Sequence, residues 1–185
     1  MMLSMEKSWY RKMFSPAQKP DREETQSTAD YENAEVQFRM GLKFAGEGPA
    51  QDYVQAAEWY RKAAGQSHTL AQFNLGMMCA NGQGMARDDA QSVIWFTQAA
   101  QSGDAGAQFN LGRNFHRASF IELPPAATQS RIEAYKWYHL AAAQGYVGSA
   151  AAGTTLIHNM TRDDVTAGDL RVAEFERTQP RPVQD

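Results

Sequence analysis

A short phrase that recurs three times constrains the fold of this chain more than any other feature. It reads Ala34-Glu35-Val36-Gln37-Phe38-Arg39-Met40-Gly41, then Leu70-Ala71-Gln72-Phe73-Asn74-Leu75-Gly76, then Gly106-Ala107-Gln108-Phe109-Asn110-Leu111-Gly112. Phe38 and Phe73 are 35 residues apart, Phe73 and Phe109 36. A second block follows each copy: Glu58-Trp59-Tyr60-Arg61-Lys62-Ala63-Ala64, Ile94-Trp95-Phe96-Thr97-Gln98-Ala99-Ala100 and Lys136-Trp137-Tyr138-His139-Leu140-Ala141-Ala142. The Phe-to-Trp interval is 21, 22 and then 28, so the third copy carries an insertion of about six residues. A unit of this length cannot bury an apolar face alone, so its copies must stack.

Each copy reads as two helices, A and B. Ala71, Leu75, Met78 and Cys79 fall on one face of helix A, and Ser92, Trp95, Phe96, Ala99 and Ala100 on one face of helix B. Between them Asn81-Gly82-Gln83-Gly84 supplies glycines that accept positive φ and end helix A. Asp52, Asp88 and Ser130 each lie seven residues before the tryptophan, and this shared register predicts that all three cap helix B. Gly65, Gly103 and Gly145 are expected to close it. Gly41, Gly76 and Gly112 weaken helix A but let a neighbouring helix come close. Alanine, 29 of 185 residues, suits closely packed helices.

This pattern resembles the SEL-1-like repeat family, relatives of the tetratricopeptide repeats. The residues that carry the resemblance are the Ala-Gln-Phe-Asn-Leu-Gly phrase, the Gly82-Gln83-Gly84 loop with Asp88, and the Trp-Tyr and Ala-Ala block. The resemblance implies an all-α, right-handed α-solenoid of antiparallel helix pairs and a role in protein binding. Three repeats are expected at about 33–68, 69–104 and 105–146, followed by a cap over 147–178 and a tail over 179–185. In the cap, 147–158 reads as a degenerate helix A. Thr161 followed by Asp163 and Asp164 starts a last helix, whose apolar side is Val165, Gly168, Val172 and Phe175. The third repeat replaces the glycine loop with residues 116–129, including Pro124-Pro125, and the first has Pro49 in that loop.

Ahead of the repeats, Ser8-Trp9-Tyr10-Arg11-Lys12 echoes helix B. Residues 1–14 are expected to form a short helix that packs on the first repeat or touches a membrane weakly. Residues 15–32 read as a polar linker. No run of about 20 apolar residues occurs, so no integral membrane segment is expected. The first 20 residues lack the apolar stretch of a secretory signal, which points to the cytoplasm. By resemblance the source is bacterial. Net charge is −3, from 18 basic and 21 acidic residues, so the bulk basic field of a nucleic-acid binder is absent.

Catalytic patterns are few. His68, His116, His139 and His158 contain no i, i+4 pair. Cys79, the one cysteine, takes the register of Phe44 and Phe115 and reads as a small buried hydrophobe. Gly46-Glu47-Gly48 and Gly82-Gln83-Gly84 follow no strand and precede no Gly-Lys-Ser/Thr, so they read as turn glycines. Asp88-Asp89 and Asp163-Asp164 sit at helix starts, where the dipole explains them. Cysteine-rich members of the family have been linked to β-lactams, but this sequence lacks their paired cysteines and any Ser-x-x-Lys. No cofactor, metal or enzymatic activity is expected.

What remains is a surface. Resemblance to tetratricopeptide repeats puts one side of helix A in a concave groove. That side holds Phe38, Phe73 and Phe109, which alternatively pack between repeats, and the varied neighbours Glu35, Leu42, Met77, Asn81, Arg113, His116 and Arg117. Core packing would not produce such variety, so these residues are the candidate site for a peptide or helix of another protein. Phe120 and Ile121, in the apolar insertion, either fold back over the solenoid or contact a partner. The expected function is an adaptor or scaffold; an inhibitor or immunity-type protein that neutralises one toxin or secreted effector is the alternative.

Overall fold

The computed structural model describes residues 33–46, 48 and 51–179. The helix expected over 1–14, the linker over 15–32 and all of the tail except Gln179 lie outside these residues. Among the described residues eight helices form and no strand. Three pairs follow one another: α1 (Ala34–Ala45) with α2 (Tyr53–Gly65), α3 (Thr69–Asn81) with α4 (Asp89–Gln101), and α5 (Ala105–Ala118) with α6 (Ala126–Ala143). The cap is α7 (Ser149–Ile157) and α8 (Arg162–Thr178). Each helix packs on the next through α7, and α8 packs across α6. The chain is thus an α-solenoid of helix pairs.

The helix starts are mostly where the sequence puts them. Asp52 and Asp88 accept the backbone N–H of Gln55 and Gln91 at 3.0 and 2.9 Å. Asn33, His68 and Asp104 do the same for the A helices, so the orphan donors of five first turns are partly satisfied. Ser130 is a correction. α6 begins a turn earlier, behind Pro124-Pro125, and Ser130 lies inside it with its hydroxyl donating to Glu122. Proline lacks an N–H that a helix start would leave unpaired, so the inserted prolines move the start upstream. Gly65 is a second correction. It ends α2, but the left-handed residue comes two positions later, at Ser67 with φ 63°. Gly103 and Gly145 hold that register in the other repeats, at φ 91° and 75°.

Within each pair, an aromatic ring of helix B rests on a glycine of helix A. A Cβ at Gly41, Gly76 or Gly112 would stand 2.5, 2.8 or 2.7 Å from the ring of Tyr60, Phe96 or Tyr138, closer than van der Waals contact allows. α8 uses the same device, with Gly168 under the ring of Tyr135. Phe38, Phe73 and Phe109 lean on those same rings, at centroid distances of 5.9, 5.9 and 5.7 Å. Their outer edges meet the start of the next A helix: Phe38 stacks on His68 at 4.5 Å, and Phe73 touches Gly106. Alanines fill the narrow space between helices; Ala56, Ala63, Ala71, Ala99, Ala100 and Ala107 are fully buried.

Polar groups tie one repeat to the next. Gln72 and Gln108 are buried, and each donates to a last-turn carbonyl of the preceding B helix, Ala64 and Ala100, at 3.3 Å. Each of those carbonyls also accepts a turn N–H, from Ser67 and Gly103 at 3.0 and 3.1 Å, so the glutamine fills a second lone pair at the helix end. At the cap, Thr161 and Asp164 form a reciprocal capping box. Phe175 meets Trp137 edge-on at 5.4 Å, and Arg171 pairs with Glu133 at 2.6 Å. α8 thereby covers the outer face of the last repeat.

Left-handed backbone costs a non-glycine residue roughly 1–2 kcal/mol, and glycine returns part of that through unfolded-state entropy. Ser67→Gly is therefore expected to stabilise the protein by about 0.5–1 kcal/mol, measured as a rise of about 2 °C in melting temperature. An unchanged or lowered melting temperature would contradict the strain at Ser67.

Candidate functional site

A cleft of about 250 Å³ opens between α3, the N-terminal end of α4, and α5. Met77 and Asn81 come from α3, Ser92 and Phe96 from α4, and Asn110, Arg113, Asn114 and Arg117 from α5. Helical spacing places Asn110, Arg113, Asn114 and Arg117 on one side of α5. Gly82, left-handed at φ 68°, turns the chain out of α3 so that Arg87 and Asp89 reach the rim. A side chain at Gly84 would collide with the backbone of Tyr53, so this loop also locks onto the preceding pair.

Asp89 organises the rim. Arg87 donates two hydrogen bonds to it, at 2.9 and 3.1 Å, and Arg117 a longer one at 3.4 Å. The Arg87 hydrogen bond and charge, and after them the Arg117 charge, hold the Asp89 carboxyl below the usual carboxylate range against the opposing effect of burial. Arg113 donates to the Asn110 side chain at 3.3 Å and has no carboxylate partner among the described residues. A second concavity of about 270 Å³ adjoins, sharing Arg113, Asn114 and Arg117 and adding His116, Phe120 and Tyr138. Burial lowers the pKa of His116, which is therefore neutral at pH 7.

The structure thus brings Met77, Asn81, Arg113 and Arg117 together and places His116 and Phe120 beside them. Glu35, Phe38 and Leu42 do not line either concavity. Glu35 binds Arg39 and His68, at 2.7 and 3.2 Å, and Leu42 is half exposed on α1. Phe38 is buried between Tyr60 and His68; Phe73 and Phe109 are half-buried in the same inter-repeat position. Among the described residues the insertion does not fold back: Phe120 and Ile121 are 73% and 83% exposed, and the His116 ring flanks Phe120 at 5.1 Å. Sequence reasoning missed Ser92, Arg87, Asp89, Asn110 and Asn114. In the sequence Asp89 is accounted for by the helix dipole alone, and only three-dimensional proximity reveals its bond to Arg117.

No three His, Cys, Asp or Glu side chains gather as a metal site among the described residues, and no helix among them is long and apolar enough to cross a membrane. Cys79 is buried, its sulfur 3.4 Å from that of Met85.

The model of the Sel1 repeat matches residues 34–68, 69–104 and 105–146, and the chain belongs to the Sel1-repeat family. These repeats are in general protein–protein interaction modules built on a scaffold fold. Among solved structures, a Sel1 repeat protein from Oxalobacter formigenes is similar at TM-score 0.59 and 31% identity, over 74% of this chain and 99% of that one. A protective antigen of uropathogenic Escherichia coli that displays an SLR fold is similar at TM-score 0.67 and 22% identity, over 89% of this chain. The match spans 38% of the antigen's length and shows the fold alone. No curated protein matches.

Burial, more than the nearby Asp88 charge, raises the pKa of the Cys79 thiol, which stays protonated at pH 7. Labelling with a disulfide reagent such as Ellman's is expected to be at least about tenfold slower in the native protein than in guanidinium. Equal rates would show that the α3 core opens freely.

Proposed function

We propose that the protein is a non-catalytic adaptor of the bacterial cytoplasm that holds a peptide segment of a partner protein in the cleft between α3, α4 and α5. The observation that carries this reading is that three helices from two repeats converge on one concavity with a mixed lining. Met77 offers apolar contact over the buried Phe96 ring; Asn81, Asn110 and Asn114 offer amides that pair with an extended backbone. Exposed Phe120 and Ile121 extend the surface beyond the second concavity. The bacterial origin of both solved relatives supports the setting.

The test is affinity capture from lysate of the source organism, comparing the full chain with a Met77→Asp, Arg113→Glu variant whose fold is verified by circular dichroism. Met77 packs partly buried against the Phe96 cluster, so the variant is expected to lose some stability, and capture is run well below its measured melting temperature. One near-stoichiometric partner, lost in the variant, is the expected result, and its identity separates adaptor from inhibitor. Capture that survives both changes would remove the cleft as the working surface.

A further inference from the structure

The second repeat departs from its neighbours at two positions that line the main cleft. Repeats one and three seat a tyrosine on the helix A glycine, Tyr60 and Tyr138; repeat two seats Phe96. One turn earlier the neighbours have fully buried Ala56 and Ala134, whereas repeat two has Ser92. Burial raises the pKa of Tyr60, and the Asn74 side chain of the next repeat acts against that rise from beside its hydroxyl. Phe96 has no hydroxyl, and Asn110, the counterpart of Asn74, lines the cleft, its amide donating to the Gly106 carbonyl at 2.9 Å and its oxygen accepting from Arg113 at 3.3 Å. Ser92 is only 2% exposed, and its hydroxyl has no hydrogen-bond partner among the described residues. Leaving a buried hydroxyl unpaired costs stability, so at a cleft wall it points to a ligand atom.

Charge identifies that ligand. The lining holds three guanidiniums, Arg87, Arg113 and Arg117, against one carboxylate, Asp89. Asp89 spends its better hydrogen bonds on Arg87, is only loosely held by Arg117, and leaves Arg113 unmatched. The cleft is therefore locally cationic in a chain whose net charge is −3. Guanidinium planes prefer carboxylates, which they grip in paired hydrogen bonds. We propose that the cleft selects an acidic peptide segment: a Glu or Asp side chain of the partner pairs with Arg113 and Arg117, while Ser92 and Asn110 bond the polar groups around it. This assignment rests on the groove reading above and adds the chemistry of the occupant.

The experiment is selection of random nine-residue peptides displayed on phage against the full-length protein, followed by synthesis of the selected peptides and affinity measurement. The expected result is an acidic residue at one fixed position. Replacing it with Gln or Asn should weaken binding on the order of tenfold, and that penalty should vanish in an Arg113→Ala, Arg117→Ala variant. Phe96→Tyr, which restores the residue of the neighbouring repeats, should weaken binding while preserving the fold. Peptides that bind and are lost in Met77→Asp, yet carry no acidic residue, would overturn the carboxylate assignment and leave the groove reading standing. Tighter binding with phosphoserine than with glutamate would overturn it in favour of a phosphate. Failure to select any peptide would overturn both this assignment and the groove as a peptide site.

Discussion

The seating of one aromatic ring on one glycine sets the distance between the two helices of every pair, and the rest of the solenoid follows from that distance. With Tyr60, Phe96 and Tyr138 pressed on Gly41, Gly76 and Gly112, the helices come close enough for alanine to be the right core residue. A larger side chain at Ala56, Ala71 or Ala107 would have nowhere to go. The same rings support Phe38, Phe73 and Phe109, which carry the contact on to the next helix A. The glycine lowers helix propensity by about 1 kcal/mol relative to alanine, and the buried ring contact outweighs that.

Most of this fold was legible because it is periodic. Glycine, phenylalanine and the Trp-Tyr block recur at fixed spacing, so helix pairs, most caps and the close approach at the three glycines could be read without coordinates. Failures fell where the period breaks. Ser130 kept the register of Asp52 and Asp88, but the proline pair of the insertion started α6 early. Gly65 was nearer to the block than Ser67, yet the turn geometry that repeats put its left-handed residue at Ser67. The recurring glutamine was visible as a motif, but its use as a clasp for the carbonyl of a preceding helix depends on a tertiary contact between repeats.

The candidate site was legible in half. Variation against a constant register pointed to Met77, Asn81, Arg113 and Arg117, which one cleft lines together. The same logic pointed to Glu35 and Leu42, which lie apart because a groove shared by three repeats is not what the side chains make. The concavity centres on the second and third repeats, where Phe96 replaces tyrosine and the loop after Gly82 delivers Arg87 and Asp89 to the rim. The repeat thus gains a local concavity by breaking its own pattern at a few positions while the glycine seats hold the frame.

The most direct measurement of that frame is a double-mutant cycle between Gly76 and Phe96, read by chemical denaturation. In the native background Gly76→Ala drives a methyl group into the ring and is expected to cost about 1–3 kcal/mol. In a Phe96→Ala background the ring is gone, and the same change should become neutral or stabilise by up to about 1 kcal/mol, because alanine is the better helix former. An equal loss in both backgrounds would contradict the account, since it would mean that the glycine is required for some reason other than the seat of the ring.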